Sequence, residues 1–234
     1  MINLNQKNTV ARLAGFIYLL VVISGIFSLM YVPKKLIVWG DSQETTQKIS
    51  SNLYLFKLGI VSEILMLFSF IFLLLALYKL LHKVNKYHAV SMVVIGLVSI
   101  ALNFSNMVTK FSILTLVEGR NYLSQISATQ IEAITMFHVD SYYHGINLSQ
   151  VFWGLWLFPF GYLVFKSGFL PKFLGFFLML GCFGYIIAFI GNLFIVDYNK
   201  TLFAEIVSIP DSIGELGICL WLLIMDTNQF KFSK

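Results

Sequence analysis

The chain has 234 residues, of which 58% are apolar and only 12% are charged, and its formal net charge is +5 at pH 7. Soluble domains are about half apolar and about a quarter charged, so the composition excludes an ordinary water-soluble fold. Six membrane-spanning helices need about 120 apolar positions. The chain has enough apolar residues for one such set of helices and not for a second. We therefore predict an all-α protein, a single polytopic bundle of transmembrane helices over residues 1–234.

Six apolar runs follow one another along the chain, and each predicts a transmembrane helix. The first run is too long for a signal peptide and is not followed by a small-residue cleavage site, so we expect it to be retained. Pro33 is predicted to end the first helix, Pro159 to kink the fourth, and Pro210 to open the sixth. The predicted spans are residues 10–31, 55–81, 89–117, 140–165, 172–196 and 210–225.

The connections between these spans carry weaker signals. A Ser-, Thr- and Gln-rich stretch at 41–51 predicts a short surface helix between the first two spans. The longest connection, between the third and fourth spans, predicts an interfacial helix over 129–137. The segment 166–172 predicts a tight turn, because Gly168 suits a helix C-terminus and Pro171 suits the next helix start.

The distribution of Lys and Arg predicts the orientation. Nine of them fall on the side that holds both termini, together with one acidic residue, Asp226: Lys7, Arg12, Lys79, Lys83, Lys86, Lys166, Lys172, Lys231 and Lys234. The other side and its half-spans hold seven: Lys34, Lys35, Lys48, Lys57, Lys110, Arg120 and Lys200. Because basic residues concentrate on the cytoplasmic side of membrane proteins, we predict that both termini are cytoplasmic.

Polar side chains are costly in hydrocarbon, so those inside the spans are the most informative residues. Helical spacing groups them into one stripe on each of three spans: Ser99, Asn103, Asn106 and Lys110 on the third, Asp140, His144 and Asn147 on the fourth, and Asp211 and Glu215 on the sixth. Glu63 on the second span and Asn192 on the fifth are more isolated. In the predicted orientation nearly all of these residues lie in the outer half of the membrane.

The inner halves of the spans contain almost no ionisable residue, so we predict a polar basin that opens outward above an apolar plug. Its candidate ligand-binding residues are Glu63, Asn103, Asn106, Lys110, Asp140, His144, Asn147, Asp211 and Glu215. The competing interpretation is that these side chains only join helices by hydrogen bonds. A stripe of Gly181, Gly184, Ala188 and Gly191 on the fifth span predicts close helix packing rather than a site.

Glu63 and Lys110 are predicted to form an ion pair. The second and third spans are antiparallel neighbours, with a loop centred near Asn85. Measured from that centre, the two residues differ in depth by only about 4–5 Å at a rise of about 1.5 Å per residue. A long lysine side chain covers that distance.

Three kinds of function remain open at this stage. The polar stripes favour binding or transport of a small ligand. His144 with Glu63, Asp140 and Glu215 would suit an intramembrane metal-assisted enzyme, and a structural or regulatory subunit needs no ligand. Zinc-ligand spacings, phosphate-binding glycine loops and nucleophile elbows are absent from the sequence, which excludes the easily recognised nucleotide enzymes. We expect no metal and no cofactor. The lipid bilayer is the expected partner, and nucleic acid is not, because the basic residues lie mostly in short loops between the spans. The ligand and the oligomeric state stay open.

An ordered set of short motifs carries a family resemblance. It comprises Arg12-Leu13-Ala14-Gly15, Leu77-Tyr78-Lys79-Leu80-Leu81, Ser167-Gly168-Phe169-Leu170-Pro171-Lys172, Gly175, Gly184-Tyr185, Gly214-Glu215-Leu216 and Trp221-Leu222-Leu223. From about residue 10 to 225 the chain resembles a bacterial multi-pass membrane family known only as domain of unknown function 4386. The resemblance implies about six helices in the bacterial plasma membrane, and it brings no established substrate, cofactor or catalytic residue.

Overall fold

The computed structural model describes residues 4–225, and this part of the chain consists of helices and connections without a β-strand. Six helical stretches are long and apolar enough to cross a membrane: Lys7–Leu36, Leu53–Leu81, Lys86–Val117, Ala128–Lys166, Lys172–Phe194 and Leu202–Ile224. The all-α class and the six spans are therefore confirmed. Asp226, Lys231 and Lys234, used in the orientation argument, lie outside the described residues.

Residues 4–225 contain ten α-helices, of which the third lies in a connection and the other nine form the six stretches. They are α1 (Leu4–Gly25), α2 (Val32–Leu36), α3 (Ser42–Ser51), α4 (Leu53–Leu81), α5 (Lys86–Asn106), α6 (Val108–Val117), α7 (Ala128–Lys166), α8 (Lys172–Phe194), α9 (Leu202–Val207) and α10 (Ile209–Ile224). A π-helical segment, Ile26–Tyr31, joins α1 to α2, and short 3₁₀ turns occur at Asn121–Gln125 and Tyr198–Lys200.

Two predicted boundaries are wrong. Pro33 does not end the first span, because it lies in the first turn of α2, where a proline removes no needed hydrogen bond, and the helix runs on to Leu36. The interfacial helix expected over 129–137 is not separate, because α7 is continuous over 39 residues. At about 1.5 Å per residue α7 is about 58 Å long, which exceeds the roughly 30 Å hydrocarbon core.

Two other local predictions are confirmed, one more boundary is wrong, and the kink at Pro159 stays a prediction. The surface helix of the first connection is α3, whose N-terminus is capped by Asp41 accepting a hydrogen bond from the Glu44 amide at 2.8 Å. Gly168 adopts a left-handed conformation with φ of 72° in the turn between α7 and α8. Pro210 lies in the first turn of α10, but the sixth span already begins at Leu202 on α9, so Pro210 does not open that span.

The chain divides into two compact units. The first unit is the described part of 1–20, 69–100 and 147–234, and the second unit is 21–68 and 101–146. A single domain for the whole chain stays a prediction.

In the first unit, glycines bring helix backbones into direct contact. A Cβ atom on Gly161 of α7 would lie 2.6 Å from the carbonyl oxygen of Gly175 on α8. A Cβ atom on Gly214 of α10 would lie 2.9 Å from the backbone nitrogen of Leu178 on α8. This close approach leaves α8 with a neighbouring helix on each side.

In the second unit, the end of the first span packs on α4, and α4 packs on α6. The Ser62 hydroxyl donates to the Ser24 carbonyl oxygen at 3.0 Å. Lys57 Nζ and Glu118 Oε1 form an ion pair at 2.8 Å. These contacts fix the part of α4 that carries Glu63.

Candidate functional site

The second unit contains a buried cluster around Glu63, which is completely inaccessible to solvent. Lys110 Nζ lies 2.5 Å from Glu63 Oε2, so the predicted ion pair is confirmed. The Tyr142 hydroxyl donates to Glu63 Oε1 at 2.7 Å, and Lys110 Nζ lies 4.3 Å from the centre of the Tyr142 ring. The Asn106 amide donates to the Tyr142 carbonyl oxygen at 2.9 Å. Both carboxyl oxygens of Glu63 therefore have a donor, and the pair is neutral overall.

A cavity beside this cluster, lined by Lys110, Tyr142 and otherwise mainly apolar residues, has a volume of about 30 Å³. That is room for on the order of one or two waters. The Glu63 cluster therefore has the properties of a packed ion pair rather than those of a solute site.

The first unit contains a different arrangement around Glu215 of α10. Tyr18 of α1 donates its hydroxyl to Glu215 Oε2, and Tyr185 of α8 donates to Oε1, both at 3.0 Å. Among the described residues, no basic side chain forms an ion pair with Glu215. Its carboxyl group is held by neutral donors alone.

Contacts between the first part of α1 and the end of α10 support this arrangement. A Cβ atom on Gly15 would lie 2.5 Å from the Leu223 backbone nitrogen. The Cys219 thiol points to the Gly15 carbonyl oxygen at 3.8 Å, and Arg12 Nε donates to the Met225 carbonyl oxygen at 3.2 Å. The two helices are thus close enough for Tyr18 to reach Glu215.

A larger cavity, which we call the polar cavity, lies in the first unit beside Tyr185. Its volume is about 230 Å³, and it is bounded by α7, α8, the Tyr198–Lys200 turn, α9 and α10. The lining residues are Gln150, Gly184, Tyr185, Ala188, Tyr198, Asn199, Ala204, Glu205, Val207, Ser208 and Asp211. Among residues 4–225, the lining carries two carboxyl groups and no basic side chain.

Three polar side-chain atoms of residues that line the polar cavity are buried, with no hydrogen-bond partner among the described residues. They are Gln150 Oε1, the Tyr198 hydroxyl and Asp211 Oδ1. Leaving one buried polar group unsatisfied costs about 1–3 kcal/mol. Because three residues that line one cavity carry such groups, this cavity is the candidate binding site of the first unit.

The small residues of α8 shape this cavity. A Cβ atom on Gly181 would lie 2.8 Å from Asp211 Cα, and one on Gly184 would lie 2.8 Å from the Val207 carbonyl oxygen. Gly191 leaves room for the ring of Tyr198. The predicted close packing at this stripe is confirmed, and it is what brings Asp211 and Tyr198 to the cavity wall.

The loop before α9 places Tyr198 through local backbone geometry. Asp197 adopts a left-handed conformation, with φ of 57°, and so turns the chain after α8. Thr201 then caps α9 by accepting a hydrogen bond from the Ala204 amide at 3.2 Å. The turn leaves Tyr198 only 2% exposed.

The predicted basin residues are divided between the units. Glu63, Asn103, Asn106, Lys110, Asp140 and His144 belong to the second unit, and Asn147, Asp211 and Glu215 belong to the first. Asn103 is buried, Asn147 is half-buried, and Asp140 and His144 are exposed on α7. Of the nine, only Asp211 lines the polar cavity. No group of three or more His, Cys, Asp or Glu side chains within residues 4–225 is arranged to hold a metal ion.

The sequence analysis did not predict several residues of the polar cavity or the tyrosines that contact Glu63 and Glu215. Gln150 lies three positions after Asn147, so the same helical spacing extends the polar stripe of the fourth span to it. Tyr198 and Glu205 belong to the connection before the predicted sixth span, and Tyr18, Tyr142 and Tyr185 count as apolar in a composition analysis. No pattern in the sequence signals these tyrosines as hydrogen-bond donors to Glu63 and Glu215.

The six spans and the polar groups buried between them define a multi-pass helical membrane protein. Residues 13–225 match the family described as "Domain of unknown function (DUF4386)", and the chain belongs to this family. A stretch of 49 residues is 41% identical to an uncharacterized protein of Archaeoglobus fulgidus, covering 21% of this chain and 30% of that protein. The match thus spans less than a third of that curated relative. No solved structure matches the chain.

Proposed function

We propose that this membrane protein binds a small, positively charged solute with N–H donors in the polar cavity of the first unit. The observation that carries the proposal is the set of buried, unpartnered atoms on its wall: Gln150 Oε1, the Tyr198 hydroxyl and Asp211 Oδ1. Two of these atoms only accept hydrogen bonds, so the solute must donate. An ammonium or amidinium group does so and carries a charge opposite to that of the carboxyl groups.

The lining residues support a cationic ligand over an anionic one. Asp211 and Glu205 contribute carboxyl groups, and no lysine, arginine or histidine of the described part of the chain lines the polar cavity. The volume of about 230 Å³ lies below the roughly 300–1,000 Å³ of cavities that hold drug-sized ligands, so the solute is small.

The environment of Glu215 supports binding rather than a continuous channel. Tyr185 lines the polar cavity and also donates its hydroxyl to Glu215. Farther along α10, Ile218 and Leu222 are fully buried and apolar. A solute that moved beyond Tyr185 would have to break these hydrogen bonds and enter apolar packing.

The binding test uses alkylammonium ions from methyl- to hexylammonium and their neutral alcohol counterparts as probes. A ligand that binds only the folded state raises the unfolding temperature as its concentration rises. At least one ammonium ion, and none of the alcohols, should stabilise the purified protein in detergent. Asp211→Asn should abolish the shift, and Asp140→Asn, the same change at an exposed position, should keep it. Equal shifts in both variants would contradict binding in the polar cavity.

A second measurement identifies the natural ligand. Native purification followed by mass spectrometry should show a co-purifying small cation that is lost from Asp211→Asn and retained by Asp140→Asn. Uptake of the identified cation into proteoliposomes then separates a transporter from a binding protein.

We also propose that the protein lies in a bacterial plasma membrane with both termini in the cytoplasm, so that the polar cavity opens outward. The distribution of Lys and Arg supports this orientation. A cysteine at Ser124 should react with an impermeant thiol reagent on intact cells, and a cysteine at Lys86 should react only after lysis. Cys182 and Cys219 are buried, so their background should be low. The reverse labelling pattern would invert the topology.

A further inference from the structure

We infer that a second cavity of the first unit, lined by four lysines, binds a phosphate-bearing anion. This lysine cavity has a volume of about 330 Å³, and Lys7, Lys79, Lys83 and Lys166 line it together with Ser167 and Phe169. It is separate from the polar cavity: Gln150 and Lys166 are 16 residues apart on α7, about 24 Å at 1.5 Å per residue. The inference does not depend on cation binding in the polar cavity, and it rests on the proposed function only for the orientation that places the lysine cavity on the cytoplasmic side.

The four lysines come from three places in the chain that converge on one space. Lys79 lies in the last turn of α4, Lys83 just beyond its end, Lys166 at the end of α7 and Lys7 near the start of α1. Lys7 Nζ lies 3.4 Å from the centre of the Phe169 ring, a cation–π contact that holds this ammonium group at the cavity wall.

No ion pair within residues 4–225 compensates the charges around the lysine cavity. No acidic side chain of the described chain is among its lining residues. Within residues 4–225 the ion pairs are made by Lys48, Lys57, Lys110 and Lys200, none of which lines it. Like charges that face one space repel each other, and an anion with several oxygens relieves that repulsion for all of them at once.

The apolar part of the wall favours a lipid as the carrier of the phosphate. Val10, Leu80, Val84 and Phe169 line the cavity beside the lysines. A phospholipid presents this combination, because its charged phosphate is attached to a diacylglycerol whose acyl chains are apolar. Basic pockets between transmembrane helices on the cytoplasmic side are known to bind anionic lipid headgroups. The alternative carrier of the same chemistry is free phosphate in solution.

The general enrichment of lysine on the cytoplasmic side supplies a matched control. Lys86 and Lys172 belong to the same predicted side and are exposed, but they do not line the cavity. The double variant Lys83→Gln/Lys166→Gln removes two charges from the cavity. The double variant Lys86→Gln/Lys172→Gln removes two charges from the same predicted face. A diffuse surface potential responds equally to both changes, whereas a site responds only to the first.

The experiment measures binding of dioctanoyl phosphatidylglycerol, with dioctanoyl phosphatidylcholine as the zwitterionic comparison, to the full chain in a neutral detergent. A lysine near an anionic surface contributes about fivefold to binding. Lys83→Gln/Lys166→Gln should therefore weaken phosphatidylglycerol binding about tenfold or more, and Lys86→Gln/Lys172→Gln should stay within about twofold of the wild type. Phosphatidylcholine should bind more weakly throughout, because the lysines repel its choline cation.

A parallel arm identifies the carrier. Inorganic phosphate is titrated against chloride at equal ionic strength, and the unfolding temperature is recorded. A saturable rise that is lost in Lys83→Gln/Lys166→Gln assigns the cavity to free phosphate, and a response to phosphatidylglycerol alone assigns it to lipid. Equal weakening by the two double variants, or no response to either probe, would overturn the inference. If the cavity variant does not fold, the single change Lys79→Gln replaces it, with Lys86→Gln as control.

Discussion

Two acidic side chains in membrane-spanning helices are stabilised in different ways. Glu63 in the second unit is ion-paired with Lys110 and also accepts a hydrogen bond from Tyr142. Glu215 in the first unit accepts hydrogen bonds from the hydroxyls of Tyr18 and Tyr185, without an ion pair among the described residues. The first arrangement lies beside a cavity of about 30 Å³, and the second is joined through Tyr185 to one of about 230 Å³.

The difference separates a structural ion pair from a site that can respond to a ligand. A buried charge next to a buried counter-charge is already neutralised within the protein, so a solute would add little stabilisation. Glu215 accepts hydrogen bonds from two tyrosine hydroxyls but has no ion-pair partner among the described residues. One of those tyrosines, Tyr185, also lines the polar cavity. We therefore expect ligand binding in the polar cavity to alter the hydrogen bond between Tyr185 and Glu215. No such effect is expected at Glu63, because Lys110 is already its ion-pair partner.

The largest expected effect tests the ion pair. Glu63→Gln and Lys110→Met should each lower the free energy of unfolding by about 3–5 kcal/mol, because each leaves the other partner buried and alone. The double variant should cost less than the sum of the single changes, and thermal unfolding in detergent measures all three.

The exposed pair Glu44–Lys48, at 2.8 Å, is the control for this cycle. Glu44→Gln, Lys48→Met and their combination should change stability by less than about 1 kcal/mol each. Additive losses at Glu63 and Lys110, like those at the exposed pair, would show that burial does not couple the two residues.

A second prediction tests the backbone contacts that shape the polar cavity. Gly184→Leu should cost about 1–3 kcal/mol, because the new side chain would meet the Val207 carbonyl oxygen and push α9 away from α8. Ala101→Leu enlarges an exposed position on another span and should be nearly neutral. Thermal unfolding compares the two, and equal losses would mean that Gly184 does not lie at a tight contact.

A third prediction compares the tyrosines of the two clusters. Tyr18→Phe should cost about 1–3 kcal/mol, because it leaves one oxygen of Glu215 without its donor. Tyr142→Phe should cost less, because Glu63 keeps Lys110 as a partner. Thermal unfolding of the two variants gives the order, and a larger loss at Tyr142 would reverse our view of which carboxyl group depends on its hydroxyl donors.

The sequence was sufficient for the Glu63–Lys110 pair because helix rise and a short loop determine the depth of residues on antiparallel neighbours. It was also sufficient for the six spans, since length and apolarity decide them. It did not determine the direction of a polar stripe. Asp140 and His144 share a helical face as predicted, but that face is exposed. In a membrane helix the lipid-facing and protein-facing sides are both apolar, so periodicity identifies a common face and not what the face contacts.

The polar cavity was beyond prediction for a different reason. Its wall combines Gln150 with Tyr198 and Glu205, which are about 50 residues farther along the chain. Tyr198 lies in a connection shaped by the left-handed turn at Asp197, and Glu205 lies on α9, a helix of six residues. Such features arise from tertiary packing and carry no repeating pattern.

The smallest expected effect concerns Glu118, a carboxyl group outside the spans. Its contribution to stability should be weaker than those of the buried carboxyl groups Glu63 and Glu215. The hydrogen bond from Lys57 lowers the pKa of Glu118, and the two groups form an ion pair at 2.8 Å. A carboxyl group whose pKa is lower in the folded state stabilises the protein above its unfolded pKa, and this contribution is lost as the pH falls through the folded value. The difference in unfolding temperature between the wild type and Glu118→Gln should therefore be small at pH 7 and shrink between about pH 5 and pH 3. In the Lys57→Gln background the same substitution should produce little pH-dependent difference, because the group that lowers the pKa is gone. A difference that grows as the pH falls would show that the pKa of Glu118 is raised on folding. That outcome would contradict a stabilising ion pair between Lys57 and Glu118.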